Sequence, residues 1–391
     1  NLQNENSIGF YIVNGTGENL NRDTVVASQF QSRGQITTTG KNAHAVVVKR
    51  EVKNAAGTDY IDSTFTNNGL IQNNTAGTIG IYAENGASII HTGFSTSFGK
   101  SEIISGAGAI GIYAKGLKDS SDPAAAGDKT TVTVSGPITV GNSTGTNTSV
   151  GILAEGDTSE VTFNTGAKLS LGNDSIGILL KNTNIADSIK INALQYNMGN
   201  NSIFLYGEKS TLKISDSLTA LNGTAFSSLG TDSTMLYAAN NSHISIDSDI
   251  TLPLSGKPSL FTNLYVAENS DVTLENGNTL TITPAQKTGL VSFSADGKYF
   301  SDGTTAVVID NTKTGSINKG IININSDNSV GMYTLYGTAK NDSAGVVNAA
   351  GQGSVGMFGE ENSIIENKGT LTQSGASSIG IYGKTESDKT L

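Results

Sequence analysis

Short runs in which apolar residues alternate with small or polar ones fill this chain, as in Ser354-Val355-Gly356-Met357-Phe358, Ser363-Ile364-Ile365 and Thr370-Leu371-Thr372. A period of two predicts strands, and no stretch carries the period of an amphipathic helix. Turns at Gly359-Glu360-Glu361-Asn362 and Glu366-Asn367-Lys368-Gly369 separate the runs. Gly and Asn tolerate the left-handed backbone that such corners require.

The first run recurs along the chain. Ser7-Ile8-Gly9-Phe10-Tyr11, Thr78-Ile79-Gly80-Ile81-Tyr82, Ala109-Ile110-Gly111-Ile112-Tyr113, Ser149-Val150-Gly151-Ile152-Leu153, Ser175-Ile176-Gly177-Ile178-Leu179, Ser329-Val330-Gly331-Met332-Tyr333 and Ser378-Ile379-Gly380-Ile381-Tyr382 all share its frame. From Gly80 through Gly111 and Gly151 to Gly177, and from Gly331 through Gly356 to Gly380, the spacings are 24 to 40 residues, which announces a solenoid. The residues after the anchor repeat too: Ala83-Glu84-Asn85-Gly86-Ala87-Ser88-Ile89-Ile90 is echoed by Ala267-Glu268-Asn269-Ser270-Asp271-Val272-Thr273-Leu274. Ser202-Ile203-Phe204-Leu205-Tyr206 and Ser233-Thr234-Met235-Leu236-Tyr237 keep the frame without the glycine, and Ala43-His44-Ala45-Val46-Val47 marks a further coil.

The expected fold is all-β: a right-handed parallel β-helix, a solenoid of three-strand coils with corner-loop insertions, its coils roughly 4.8 Å apart. It runs through residues 1–391 as a single segment, read as part of a longer chain. Strict alternation turns Ile79, Ile81 and Ala83 inward with Gly80 and Tyr82 outward, and likewise Ile379, Ile381 and Gly383 inward in the last unit. Insertions break the rhythm at Asn14 to Arg22, Lys118 to Lys129, Leu252 to Ser259 and Phe293 to Thr305. These positions read as surface excursions from corners.

Composition narrows the function. Hydrophobic residues are 36% and charged residues 15% of the chain, with 47 glycines, a profile of short strands and polar turns rather than of a helical solenoid. The absence of cysteine removes disulfides and thiolate chemistry. A net charge of -10 disfavours nucleic acid and anionic membrane surfaces as partners.

Motifs for chemistry are sparse. The windows Gly106-Ala107-Gly108-Ala109-Ile110-Gly111 and Gly351-Gln352-Gly353-Ser354-Val355-Gly356 match a dinucleotide fingerprint, but each ends on a repeat glycine with strand and turn beyond it, not on a helix. No cofactor is expected. His44, His91 and His243 lie far apart and read as surface positions rather than metal ligands. Asp247-Ser248-Asp249 reads as a solvated turn. A carboxylate pair of Asp216 with Asp247 or Asp249 would be needed for hydrolysis of a polysaccharide. A lyase reading suffers because no arginine comes after Arg50.

Two features suggest contact with a partner. Tyr82, Tyr113, Tyr206, Tyr237, Tyr265, Tyr333, Phe358 and Tyr382 form an outward column if the coils stack in phase, read first as a structural ladder and second as a sticky face. The insert from Asp296 to Gly303 carries Asp296, Lys298, Tyr299, Phe300 and Asp302 between two Asp-Gly turn signals. It is either a hairpin tip that contacts a partner or a hairpin whose aromatics fold back on the coils.

The repeated Ser-Ile-Gly-Ile-Tyr-Ala with a subsequent Glu-Asn-Gly-Ala, as in Thr78 to Ala87, resembles the passenger domains of the large type V autotransporter adhesins of fusobacteria. The resemblance covers nearly the whole chain. It implies a monomeric extracellular passenger, held at the outer membrane by a C-terminal β-barrel, that adheres to host cells or other bacteria through a receptor protein or galactose-type sugars. The resulting expectation is a non-enzymatic cell-surface adhesin. The alternatives are a polysaccharide-degrading β-helix enzyme and a structural stalk.

Overall fold

The computed structural model describes residues 2–13, 28–50, 63–93, 95–96, 99–116, 129–183, 189–214, 232–247, 249–252, 261–283, 287–293, 315–361 and 363–385. Every insertion expected from the sequence falls wholly or largely outside them. Two compact units divide the chain, one built on Asn1–Ser202 and the other on Ile203–Gly223 and Thr231–Leu391. Each is a stack of three-strand coils, and the described residues contain no helix. The fold is a parallel β-helix.

One coil of the second unit shows the construction: Val355–Glu360, Ile364–Asn367 and Thr370–Gln373 contribute one strand to each of three parallel sheets. Each pairs with its counterpart one coil earlier, Val330–Leu335, Thr338–Asn341 and Val346–Ala349. The first unit repeats the plan, with Ile110–Lys115, Thr130–Val134 and Pro137–Val140 paired to Val150–Glu155, Ser159–Phe163 and Lys168–Leu171. His44–Lys49 is a coil, as the Ala43 to Val47 stretch predicts, pairing with Ile8–Val13 and Ile79–Glu84.

The anchor motif departs from strict alternation at its glycine. Residue pairing runs Ile79 to Ile110 and then Ile81 to Ile112, passing over Gly80 and Gly111, and both glycines are buried. The glycine is thus an inward position, not an outward one as alternation predicts, and the first Ile is only half-buried. A Cβ on Gly80 would lie 2.5 Å from the Gly111 carbonyl oxygen, one on Gly151 2.6 Å from that of Gly177, and one on Gly331 2.7 Å from that of Gly356. At these coils the neighbouring backbone occupies the space that a side chain would need.

The rest of the motif has equally local causes. Its Ser or Thr hydroxyl closes the preceding corner on the carbonyl three residues back, as Ser175 does to Gly172 at 2.7 Å and Ser354 to Gly351 at 2.7 Å. The second aliphatic forms the core column, with Ile81, Ile112, Ile152 and Ile178 fully buried in the first unit. Each such burial contributes ~1.5–3 kcal/mol before chain entropy. In the second unit Phe204 and Met235 stand at the glycine position and are themselves buried, so the drifted coils fill with side chain what other coils fill with backbone. In the last coil Ile379 and Ile381 are exposed rather than inward and covered, because no described strand stacks beyond Ile379–Lys384.

At the end of the second strand runs a buried amide ladder. Asn318 Nδ2 donates to Asn341 Oδ1 at 2.8 Å and to the Val346 carbonyl at 3.1 Å, and Asn341 Nδ2 donates to Asn367 Oδ1 at 2.8 Å and to the Thr370 carbonyl at 3.1 Å. In the first unit Asn67 and His91 hold the same place. Asn67 Nδ2 donates to His91 Nδ1 at 3.2 Å, and His91 Nε2 donates to the Pro137 carbonyl at 2.9 Å, so the partners assign the neutral Nε2–H tautomer. His91 is a fully buried ladder member, not the surface position expected from sequence.

Gly331→Ala should lower the urea midpoint by an amount equivalent to about 1–3 kcal/mol, because its Cβ meets backbone rather than a movable side chain. An unchanged midpoint in equilibrium unfolding would refute the close-approach account. Burial pushes the His91 pKa down to about 4 from its ordinary 6.5. The unfolded chain therefore binds the extra proton first as pH falls, and stability present above 6.5 is lost progressively down to 4, by up to about 3 kcal/mol. His91→Asn keeps an amide in the ladder and should flatten that part of the stability–pH profile measured by urea unfolding.

Candidate functional site

In the second unit the second sheet presents two outward rows, set by strand register. One runs His243, Asp271, Gly315, Thr338, Ile364 and the other Ser245, Thr273, Ile317, Lys340, Glu366, one residue per coil. Their strands begin two residues after a corner asparagine in Asn241-Ser242-His243 and Asn269-Ser270-Asp271. Both asparagines have positive φ, and Ser242 Oγ closes the corner on the Ala239 carbonyl at 2.6 Å.

Between these rows lies a cavity of about 660 Å³, lined by His243, Asp271, Thr273, Ile317, Lys340 and Glu366 among others. That volume suits a small ligand or part of a larger one. Gly315 makes its notch, since the outward row loses one side chain there between Asp271 and Thr338. A Cβ at Gly315 would meet nothing nearer than the Thr338 carbonyl oxygen at 3.5 Å, so the glycine is not forced by packing. Beside the notch the Thr338 hydroxyl is buried with no hydrogen-bond partner among the described residues.

Opposite charges alternate along the walls. His243 Nδ1 bonds the Asp271 carboxylate, which orients the ring. Lys340 Nζ lies 3.6 Å from Asp342, and Glu366 lies 2.6 Å from Lys368. The amide of Ser343 holds the Asp342 carboxyl below the usual range. The Ile317 and Ile364 side chains supply an apolar strip. The surface can therefore donate and accept hydrogen bonds and cover a short apolar edge, all from rigid strands.

The sequence-predicted partner loop, Asp296, Lys298, Tyr299, Phe300 and Asp302, lies outside the described residues, as does Asp216 of the carboxylate pair. Asp249 accepts the Thr279 amide at 2.7 Å and Asp247 accepts Asn278 Nδ2 at 3.4 Å, both turn roles. Gly111 and Gly356 of the fingerprint windows sit within strands, not at the start of a helix.

The expected aromatic column is broken into short runs of touching rings, with Leu153 and Leu179 following Tyr113 and with Val266 and Val291 standing between Tyr237 and Tyr333. Tyr82 and Tyr113 meet edge-on at 5.1 Å, Tyr206 and Tyr237 stack at 5.2 Å, and Tyr333 meets Phe358 at 5.4 Å. Its hydroxyls donate to glutamates one coil on, Tyr237 to Glu268 at 2.6 Å and Tyr333 to Glu360 at 2.7 Å. Burial, then the carboxylates, pushes the Tyr206 hydroxyl up to about 12.

Tyr265 is not a member. It is fully buried, paired with Leu236 and Leu290, while Val266 takes the outward place beside Tyr237. A register shift at Ser233/Thr234 accompanies this, and the Ala267-Glu268-Asn269 corner sets the frame. The Tyr265 hydroxyl has no partner among the described residues.

Residues 217–390 match the family described as BigA third pectate lyase-like domain. The likeness is to a bacterial surface-protein domain and is one of fold, supporting a cell-surface β-helix. Neither a curated protein nor a solved structure matches the chain. Among the described residues no helix is long and apolar enough to cross a membrane, which says nothing of a β-barrel.

Tyr265→Phe should raise the denaturant midpoint by an amount equivalent to about 1 kcal/mol, since it removes an unsatisfied buried hydroxyl while keeping the ring. Loss of stability on that substitution would show that the hydroxyl is bonded.

Proposed function

We propose that this chain is the extracellular passenger of a bacterial adhesin, anchored at the outer membrane through a C-terminal β-barrel. It binds a receptor protein or glycan on a host cell or on another bacterium, as a monomer and without a cofactor. The observation that carries the reading is the cavity over the second sheet of the second unit, where Gly315 opens a notch that packing does not require. Beside it the Thr338 hydroxyl goes unbonded among the described residues. The match to a surface-protein β-helix supports it further.

A pectate lyase-like fold also favours a second reading, cleavage of an acidic polysaccharide by groups in the same cavity. There Asp271, held by His243, would be the basic group nearest the notch.

The test compares three proteins for attachment to epithelial cells and to partner bacteria: the wild type, Gly315→Phe, and a deletion of Ala295 to Gly303. The filled notch should cost roughly tenfold in apparent affinity, about 1.4 kcal/mol, with the unfolding curve unchanged. Loss in the deletion alone moves the contact to the loop bearing Asp296, Lys298, Tyr299, Phe300 and Asp302. Attachment unaffected by either change supports a stalk. Release of unsaturated sugars from polygalacturonate would instead support the enzyme.

A further inference from the structure

Three Asn-Gly pairs fall within the described residues: Asn68-Gly69, Asn85-Gly86 and Asn276-Gly277. Such pairs share an intrinsic reactivity, because the glycine nitrogen is unhindered and can reach the asparagine Cγ. The structure treats the three differently. The Gly69 amide donates to Asn67 Oδ1 at 3.2 Å, and the Gly86 amide donates to Thr130 Oγ1 at 2.9 Å. Both of these glycines are buried. Asn68 is further engaged by the Thr92 hydroxyl, which donates to its Oδ1.

At the third pair Asn276 and Gly277 are both exposed, and Gly277 has φ +87. The corner is closed around them instead, by the Asn278 amide and Asn278 Nδ2 donating to the Glu275 carbonyl, each at 3.3 Å. No hydrogen bond holds the Gly277 amide or the Asn276 carboxamide among the described residues.

We propose that Asn276 is a site of spontaneous deamidation, while Asn68 and Asn85 are protected. The Gly277 nitrogen gives up its proton and attacks the Asn276 Cγ. The N–Cγ bond forms, the Cγ–Nδ2 bond breaks, and ammonia leaves with a proton. Water then opens the resulting five-membered imide at either carbonyl, giving aspartate or its isomer with the backbone routed through the β-carboxyl. No oxidant or cofactor takes part. A glycine amide already donating to Asn67 or Thr130 must first break that bond in a buried corner, which raises the barrier.

The position matters for this protein. The corner joins Asp271–Leu274, whose Asp271 and Thr273 line the cavity, to Thr279–Ile282. The new carboxylate would stand next to Glu275, which Lys319 holds at 3.1 Å. The isomer would also lengthen the backbone inside a corner of fixed size.

The experiment incubates the folded chain under mildly alkaline conditions and tracks the three peptides by mass spectrometry. Conversion at Asn276 should exceed that at Asn68 and Asn85 at least ~10-fold, a barrier difference of about 1.4 kcal/mol. In urea the three rates should converge, and Thr130→Val should speed conversion at Asn85 alone. Asn276 that stays intact in the folded chain, or Asn85 that keeps pace with it, overturns the proposal. A Thr130→Val chain that proves unfolded still leaves the wild-type comparison decisive.

Discussion

The carbonyl oxygen of one anchor glycine lies only 2.5 to 2.7 Å from the position its neighbour's Cβ would take. That contact sets how closely the anchor strands approach and where each coil bends inward. Once the bend is placed, the second aliphatic of the motif enters the core, and the next residue stands outward against its counterpart one coil away. The glycine is therefore a packing requirement between coils, not a turn residue within one. A single coil has no reason to keep it, which is how a repeat motif encodes a stack rather than a unit.

A second constraint operates at the corner after the second strand, where a buried donor and acceptor must both be satisfied. Asparagine meets it by lending its oxygen to one coil and its nitrogen to the next and to the third strand. The substitution of His91 into that line keeps an acceptor for the preceding coil and a donor for the third strand, since one ring nitrogen accepts from Asn67 and the other donates to the Pro137 carbonyl. It lacks the second donor with which Asn341 reaches Asn367. It also introduces a titratable group where the amide had none. This corner thus tolerates chemical variety where amide and imidazole both find partners on neighbouring coils.

The period-two pattern, the three-strand coil and the positions of the corners were legible because each is a local property of short runs. What alternation could not reveal was the inward glycine at positions such as 80 and 331, because the pairing passes over it. Tyr265 was misplaced for a related reason: matching Tyr to Tyr ignored that the Ala267-Glu268-Asn269 corner, an equally visible signal, counts back to Val266. His91 looked like a surface residue because burial of a neutral imidazole depends on partners from other coils. The cavity residues escaped notice because His243, Asp271 and Thr338 become neighbours only through register across strands distant in sequence. Gly315 could not be recognised as a notch until its row was known.

These differences separate two kinds of glycine and so two kinds of evidence. At Gly331 the neighbouring backbone leaves no room, and the residue reports on the stack. At Gly315 a side chain would fit, yet the row that carries Asp271 and Thr338 is interrupted beside a hydroxyl unbonded among the described residues. In a solenoid, whose regular positions are all explained by neighbour contacts, a residue that packing does not explain carries more information than another copy of the motif. The outer face of the second sheet is where such a residue coincides with charge, a hydroxyl and concave space on rigid strands. That coincidence, rather than the Ser-Ile-Gly-Ile-Tyr repeat, is the physical basis for seeking a ligand there.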